Sequence, residues 1–398
     1  MKRMLLALAV LNAAVFAAPF DATVILTRQD PSMDWWYAIS QEFTPQLKRI
    51  SSVSRGEYFC ILPIFETYSI NSNHEARISF DVEVIRPDGE IYLSLKQCEG
   101  HEGIATPPHP LPSQAVLNLN FNSNDPFGEY KINVTAIDHV AGQTHQRSEM
   151  IVLKKFALIP LTKRERVDLF SSYATAPDPA KALSAFLQTE PSFFDEENEP
   201  IWSAIWFFKT IFEKNEYLIP HMLNEYASAS RKQKRNIIFV LSLLDQLDRL
   251  PRMSGELKTF QRLMKAGRTP NPYDEITTGN QLDMLWAEFF ATGTVKPIRQ
   301  IINALNLVAY RGTLEQIKLG ELDPEKQAVY QDALLESVFQ SALWSLRSNG
   351  KAHPLVFHYC VGILQSEELA KPVRSCLSML LQSIHAPSAP NLNRENEK

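Results

Sequence analysis

Extended basic segments and long apolar runs are both missing from this chain of 398 residues. Lysine and arginine number 40 against 45 acidic residues, so the net charge is −5 and no broad positive field favours DNA or RNA. The apolar runs at 201–212 and 237–244 fall short of the roughly 20 residues that a membrane-spanning helix needs. We therefore expect neither a nucleic-acid partner nor a transmembrane span in the mature chain.

Catalytic signatures are equally scarce. The sequence contains no Cys-x-x-Cys, His-Glu-x-x-His, Gly-x-Ser-x-Gly or Walker phosphate loop. The stretch "QLDMLWAEFF" places Asp283 and Glu288 among bulky apolar residues, and their spacing on a helix points them about 140° apart. Carboxylates that share a proton must converge, so we assign this pair a structural role, with Asn280 as the N-cap. No catalytic residue and no cofactor is predicted.

The histidines are not spaced as metal ligands. His353 and His358 are five residues apart, whereas a separation of three or four brings two ligands onto one helix face. His101, Glu102 and His109 are interpreted as parts of a solvated, proline-rich loop. No metal site is therefore predicted.

A single Ser-x-x-Lys match occurs at Ser348-Asn-Gly-Lys351. In penicillin-recognising enzymes this motif opens a helix and so projects the serine into a cleft. Here we expect the helix to end at Asn349–Gly350, which places the serine at the wrong end. The match therefore does not predict a hydrolase.

The N-terminus has the pattern of a signal peptide. Lys2 and Arg3 form a positive segment, residues 4–15 are apolar, and Val15 and Ala17 are the small residues before a cleavage site. We predict a signal peptide over 1–17. The mature protein is then expected in the periplasm or the extracellular space.

Export makes disulfides feasible for the four cysteines, because such bonds persist in oxidising compartments. Cys360 and Cys376 lie on either side of a predicted helix–helix turn at 366–372, equally far from the bend. Antiparallel helices would bring the two thiols together, so a disulfide is predicted there. For Cys60 and Cys98 the strand order decides, and the sequence leaves that bridge open.

Residues 18–157 have the pattern of β-structure. Side chains at 78–84 alternate between apolar and polar, and the alternation resumes at 91–95 after the turn at 86–89. Further short runs bring the number of predicted strands to about seven: 23–27, 58–65, 116–121, 130–137 and 150–156. Seven short strands separated by turns favour an antiparallel β-sandwich.

Three segments, "RGEYFCILPIF", "FDVEVIRPDGEIY" and "DPFGEYKINVTAIDHVAG", together resemble the immunoglobulin-like sandwich found in exported bacterial proteins of uncharacterised function. Gly128-x-Tyr130 and the strand to Asp138 are similar to the penultimate strand of such sandwiches, where the tyrosine often anchors a corner. The resemblance covers about residues 55–156. It implies a spacer or adhesive module without catalytic residues.

From residue 162 the pattern becomes helical. Thr162 and Glu165 form a capping box, Asp178–Pro179 marks a helix start, and Gly293 stands at a C-cap. We expect roughly nine or ten helices over 162–385, joined by short loops. That layout favours stacked helical hairpins of the tetratricopeptide-like or HEAT-like kind.

Two surface features are candidates for binding. Trp35, Trp36 and Tyr37 are adjacent, and their rings cannot all face one core, so one ring is a candidate platform for a sugar or a partner. Packing of these rings within the fold is the alternative. The basic run at 231–235 indicates a solvated helix start, or else a docking patch for an acidic partner or anionic lipid.

Together these features predict an exported protein that binds or scaffolds a protein partner. Its expected parts are a signal peptide at 1–17, an immunoglobulin-like sandwich at 18–157, an α-helical repeat-like domain at 162–385 and a disordered tail at 386–398. A glycan-binding module that uses the adjacent tryptophans is the second hypothesis. A hydrolase with its site at the domain interface is the third.

Overall fold

The computed structural model describes residues 19–29, 47–189, 201–250, 270–366 and 368–385. Its N-terminal part is rich in strands that form two sheets, and its C-terminal part is helical, which confirms the predicted order of β before α. The predicted signal peptide, the aromatic cluster at 35–37 and the tail at 386–398 lie outside the described residues.

Nine strands occur in the described residues. They are β1 (Asp21–Thr27), β2 (Ser52–Ser54), β3 (Phe59–Thr67), β4 (Glu75–Ile85), β5 (Ile91–Ile104), β6 (Leu111–Pro112), β7 (Leu117–Leu119), β8 (Gly128–Asp138) and β9 (Gln143–Lys154). The first sheet has the order β1-β3-β6, with β7 also paired to β3. The second has the order β2-β9-β8-β4-β5, in which β2 is parallel to β9. No sequence pattern indicates β2 and β6, because they have only three and two residues.

Strands β4 and β8 show why the alternating pattern predicts a half-buried sheet. Every second side chain of β4 from Ala76 to Val84 is buried, and β8 repeats this from Tyr130 onward. The two strands are antiparallel, with Val82 opposite Val134, so their apolar side chains lie on one face. The predicted hairpin around 86–89 is confirmed, because β4 and β5 pair antiparallel across it.

Strand β5 lies at the edge of the second sheet and runs well beyond the predicted segment at 91–95. Its pairing with β4 shifts register at three places. At one irregular position Gln97 has a φ of 54°, and its backbone N–H donates to the Asp81 carboxylate at 2.8 Å. The same carboxylate pairs with Lys96 at 3.1 Å.

By the density of internal contacts the chain divides into two units. Of the described residues, the first unit comprises 19–25, Ile61–Leu117 and Glu129–Ile151. The second comprises the described residues within Leu26–Cys60, Asn118–Gly128 and 152–385, so it contains all the described helices and three segments of the β-rich part. Each unit is described by itself below.

Eleven α-helices occur in the described part of the second unit. They are α1 (Lys163–Ser172), α2 (Pro179–Leu187), α3 (Trp202–Lys214), α4 (Leu218–Tyr226), α5 (Arg231–Leu243), α6 (Gly279–Thr292), α7 (Val295–Asn303), α8 (Thr313–Lys318), α9 (Gln327–Ala352), α10 (Pro354–Ser366) and α11 (Lys371–His385). Two 3-10 helices, Leu247–Arg249 and Ala304–Tyr310, join them. Within the described ranges, no helix combines the length and the hydropathy that crossing a bilayer requires.

Most of the predicted helix ends are confirmed by hydrogen bonds. Thr162 caps α1 in a reciprocal capping box, and Asp178 accepts a bond from the backbone of α2 with proline at its first turn. Gly293 adopts a φ of 70° after α6 and closes that helix. The N-cap predicted at Asn280 is wrong, because Thr278 caps α6 two residues earlier.

The helices bury two apolar clusters, and α6 contributes to both. Leu285 and Phe289 belong to the cluster formed mainly by α6, α7, α9, α10 and α11. Ala287 and Ala291 belong to the cluster formed mainly by α1 to α5. A helix that is apolar on most of its circumference is one that packs on several sides. This explains why the sequence around α6 is so rich in bulky apolar residues.

Candidate functional site

The two acids of α6 do not form a reactive pair. Glu288 accepts hydrogen bonds from the Tyr273 hydroxyl at 2.6 Å and from Nε1 of Trp206 at 3.1 Å. Burial and the bond to Glu288 raise the pKa of the Tyr273 phenol well above its ordinary value. Asp283 shares neither partner and is exposed. Glu288 therefore ties α3 and the segment before α6 to α6, as a structural role requires.

Two of the four cysteines lie on helices, and the other two lie on strands of different sheets. Cys360 on α10 and Cys376 on α11 contribute to the same apolar cluster, as the predicted helix–helix turn implies. No disulfide joins the four cysteines in the described residues, and burial raises the pKa of the Cys360 thiol to about 12. Cys60 lies in the first sheet and Cys98 in the second. The Cys360–Cys376 bridge stays a prediction for the oxidised protein.

The histidines show one wrong assignment. His101, placed in a solvated loop by the sequence, is a buried residue of β5, because the strand continues to Ile104. Glu102 is the next residue of the same strand and is exposed. His353 precedes α10 and its ring lies 5.1 Å from that of Phe290, which fits a packing role. Within the described ranges, no group of three or more histidine, cysteine or acidic side chains is placed to hold a metal ion.

The Ser-x-x-Lys match lies in the last turns of α9. This helix continues through Asn349 and Gly350 to Ala352, so the helix end predicted there is wrong. Gly350 is buried because α11 passes close to it: a Cβ at this position would lie 2.8 Å from Cδ1 of Ile384. Gly350 therefore leaves room for the Ile384 side chain and does not terminate α9. Ser348 is exposed near the C-terminal end of the helix, as expected.

The basic run at 231–235 begins α5, as predicted. Ser230 and Gln233 form a capping box there, and Gln233 also donates to the Leu187 carbonyl oxygen. These bonds account for the run as a helix start. Its use as a docking patch stays a prediction.

A carboxylate on α9 holds the start of α8 in place. Glu336 is buried and accepts bonds from the backbone N–H of Gly312 at 3.0 Å, from that of Leu314 at 2.7 Å and from Nε2 of Gln340 at 3.1 Å. Burial alone raises the pKa of Glu336, but these donors outweigh it and lower the pKa overall. Three donors occupy this carboxylate, so it serves as an anchor.

Beside this anchor, α8, α9 and α11 border an open groove of about 760 Å³. Its apolar wall includes Phe339, Leu343 and Leu380. Its cations are Arg311, which precedes α8, Lys318 at the end of α8, and Arg347 on α9. We call this feature, defined by these six residues, the basic groove.

The charge of the basic groove is positive and available. Arg311, Lys318 and Arg347 are exposed, and none of them takes part in an ion pair among the described residues. Two carboxylates also line the groove, the anchored Glu336 and the exposed Glu315. Three cations against these two carboxylates leave one net positive charge, which attracts an anionic partner.

A large exposed aromatic residue borders the groove. Trp344 is 72% exposed, and it lies four residues after Gln340 and three before Arg347, both of which line the groove. Residues at these spacings are neighbours on a helix surface. Tyr330 and Leu334, with exposures of 56% and 44%, are exposed apolar residues nearer the start of α9. Exposed apolar side chains therefore occur on the helix that borders the basic groove.

The sequence contains no contiguous signal for this groove. Its cations come from three positions separated by up to 36 residues, and only the packing of α8 on α9 brings them together. The spacing of Tyr330, Leu334 and Trp344 places them on one side of a helix. This periodicity is the sequence signal that could have indicated exposed apolar residues on α9.

Comparison with known proteins shows little similarity. No family model and no curated protein matches the chain. Among solved structures, a family 123 glycoside hydrolase from Clostridium perfringens matches with 6% identity and a TM-score of 0.21, covering 35% of this chain and 28% of that one. Astrotactin-2, a vertebrate perforin-like membrane protein, matches with 13% identity and a TM-score of 0.17, covering 56% and 37%.

Escherichia coli α2-macroglobulin, from domain MG7 to the C-terminus, matches with 10% identity and a TM-score of 0.20, covering 92% of this chain and 62% of that one. The chain thus spans less than two thirds of each of these structures. Such low scores support neither a shared fold nor a shared function.

Proposed function

We propose that this chain is an exported, non-enzymatic binding or scaffold protein whose basic groove holds an acidic, amphipathic helical segment of another protein. The β-rich part is proposed to be an immunoglobulin-like sandwich, and the helices to be stacked hairpins. In this proposal the β-rich part is a spacer, and the helical part provides the binding surface.

The observation that carries this proposal is the exposed ring of Trp344 at the border of a groove whose three cations form no ion pair with the described residues. An exposed tryptophan is a frequent anchor of protein interfaces, and burying its ring removes a large apolar area from water. The apolar wall of the groove suits one face of a helix, and the cations suit acidic side chains at the border of that face. Both features favour one occupant, an acidic amphipathic helix.

The test uses synthetic helical peptides and the full chain. One peptide has leucines on one face and glutamates on the other, and a matched peptide has lysines in place of the glutamates. We expect the acidic peptide to bind, to shift the tryptophan emission to shorter wavelength, and to bind more weakly as salt is added. Trp344→Phe should abolish the emission shift. Equal binding of the basic peptide would contradict the proposal.

A charge reversal separates the groove from general attraction. Arg347→Glu should lower the affinity for the acidic peptide roughly tenfold, because a negative side chain at the groove repels the glutamates of the peptide. Arg164→Glu is the matched control, since this side chain is 91% exposed on α1 and outside the groove. If the two variants weaken binding equally, the site is elsewhere.

The two other hypotheses stay predictions. Glycan binding through Trp35 and Trp36 concerns residues outside the described ranges. It is tested on polysaccharide arrays with the double variant Trp35→Ala, Trp36→Ala, which should lose binding while the fold is kept. The hydrolase hypothesis needs histidine and carboxylate side chains that face each other in one pocket. The basic groove has no histidine among its described lining residues.

A further inference from the structure

A second cavity lies in the second unit, apart from the basic groove. It has a volume of about 340 Å³ and is bordered by the end of β1, the start of β3, β7, the helices α1 to α3 and the end of α6. Arg28 and Lys214 are the charged residues that line it, and no carboxylate is among its described lining residues. We call it the Arg28 cavity. Its wall favours an anion.

The guanidinium of Arg28 is fixed in place. Its Nε pairs with the buried carboxylate of Glu57, and its Nη2 donates to the Ser52 carbonyl oxygen at 2.9 Å. Glu57 is itself held, because its other oxygen accepts from the Ser54 backbone N–H at 2.7 Å. Nη1 makes no hydrogen bond to the described residues. A pre-positioned cation binds a ligand without losing side-chain entropy.

The other polar groups of the cavity are neutral. Asn118 and Asn215 line it together with the Thr292 hydroxyl. Asn215 donates from Nδ2 to the Ile211 carbonyl oxygen at 2.8 Å, which leaves its own side-chain oxygen as an acceptor. Amides that both donate and accept suit a ligand that carries hydroxyl groups.

An aromatic ring completes the cavity wall. Tyr58 lines the cavity and is 57% exposed, so its ring is open to a ligand. A ring of this kind presents a flat apolar surface together with a polar hydroxyl. The volume lies at the lower end of the range of about 300–1,000 Å³ for small-molecule sites. The ligand should therefore be small, with one flat apolar face.

We propose that the Arg28 cavity binds a small acidic saccharide. Its carboxylate contacts Arg28 and Lys214, its hydroxyl groups bond the amides of Asn118 and Asn215, and its ring packs on Tyr58. A simple carboxylate would leave the amides and the aromatic ring unused. A neutral sugar would leave the Lys214 ammonium without an anion and Nη1 of Arg28 without an acceptor, since only Nε and Nη2 of Arg28 bond to the described residues.

Calorimetric titration of the full chain tests this with three probes: glucuronate, glucose and acetate. We expect saturable binding of glucuronate, and none of glucose or acetate at the same concentrations. Lys214→Gln should weaken glucuronate binding roughly tenfold, because it removes a charge contact. Tyr58→Ala should weaken it by a similar factor, because it removes the ring contact. Lys232→Gln, which removes a lysine exposed on α5 away from the cavity, should leave the affinity unchanged.

Several results overturn the proposal. It fails if glucuronate does not bind, if glucose binds as tightly as glucuronate, or if acetate competes at equal concentration. It also fails if Lys214→Gln and Tyr58→Ala bind like the parent chain. Both side chains are exposed, and matching thermal unfolding of the variants shows that the fold is kept. None of these results bears on the basic groove, which is tested with peptides.

Discussion

Replacing Glu336 by glutamine removes the charge that holds the start of α8. The carboxylate accepts two backbone N–H groups, at 3.0 and 2.7 Å, and a side-chain amide at 3.1 Å. Glutamine has the same shape, but it has one acceptor oxygen, and its NH₂ group would face a donor. The variant therefore weakens one backbone bond and leaves a second N–H without a partner.

The expected loss follows from these bonds. A hydrogen bond to a charged group contributes about 1.5–3 kcal/mol, and an unsatisfied buried donor costs about 1–3 kcal/mol. We expect Glu336→Gln to lower the free energy of unfolding by about 2–3 kcal/mol at neutral pH. Glu325→Gln is the control, because this exposed side chain should change the same free energy by less than about 0.5 kcal/mol. Urea unfolding followed by circular dichroism measures both.

The pH dependence gives the prediction a second, independent readout. The pKa of Glu336 is lowered in the folded chain relative to its ordinary value of 4.5. Its stabilising effect is therefore complete above pH 4.5 and is lost as the pH falls through the folded-state pKa. The difference between the parent chain and Glu336→Gln should shrink in acid, since a protonated carboxyl resembles an amide. A difference that stays constant from neutral to acidic pH would refute the reasoning.

Three further outcomes are expected. Tyr359→Phe removes the hydroxyl that donates to the Gly293 carbonyl oxygen at 2.7 Å, and should cost about 1–2 kcal/mol in urea unfolding; an unchanged free energy would contradict this. Gly350→Leu should lower the calorimetric melting temperature by several degrees, because a whole leucine side chain at this buried position must displace Ile384, whereas the exposed Ser348→Leu should not. Mass mapping of unreduced protein from an oxidising compartment should find the cysteines of α10 and α11 joined; two free thiols would contradict the predicted bridge.

The features that the sequence predicts well are those whose hydrogen bonds are local. The capping box of Thr162 and Glu165 spans three residues, and Asp178 caps α2 through the backbone N–H of Lys181. Such contacts need no knowledge of the rest of the fold. The alternation along β4 is predictable for the same reason, because it records which side chains one strand buries.

The N-cap of α6 shows the limit of that local reasoning. Asn280 is a suitable capping residue, but Thr278 forms the reciprocal box with Gln281. Gln281 is buried, and its Nε2 donates to the carbonyl oxygens of Asn271 and Glu275. The preceding loop therefore decides where the helix begins, and its path is not readable from the helix itself.

Features that depend on packing between distant segments could not be predicted from the sequence. Asn349–Gly350 resembles a helix end in sequence, yet Gly350 lies inside α9, where it is buried against the Ile384 side chain of α11. The basic groove likewise depends on contacts between distant segments. Glu336 on α9 holds the start of α8. This packing places Arg311 and Lys318 in the same groove as Arg347. Neither arrangement leaves a pattern in neighbouring residues.

The irregular pairing of β5 bears on self-association of the protein at high concentration. An outermost strand displays unpaired backbone groups, which invite a strand from another molecule and so start aggregation. A strand from another molecule could pair only with a regular edge. Strand β5 is irregular, because it has three register shifts and a left-handed backbone at Gln97. It also carries the charged side chain of Lys96. Its irregular backbone thus makes β5 a poor template for pairing with a strand of a second copy.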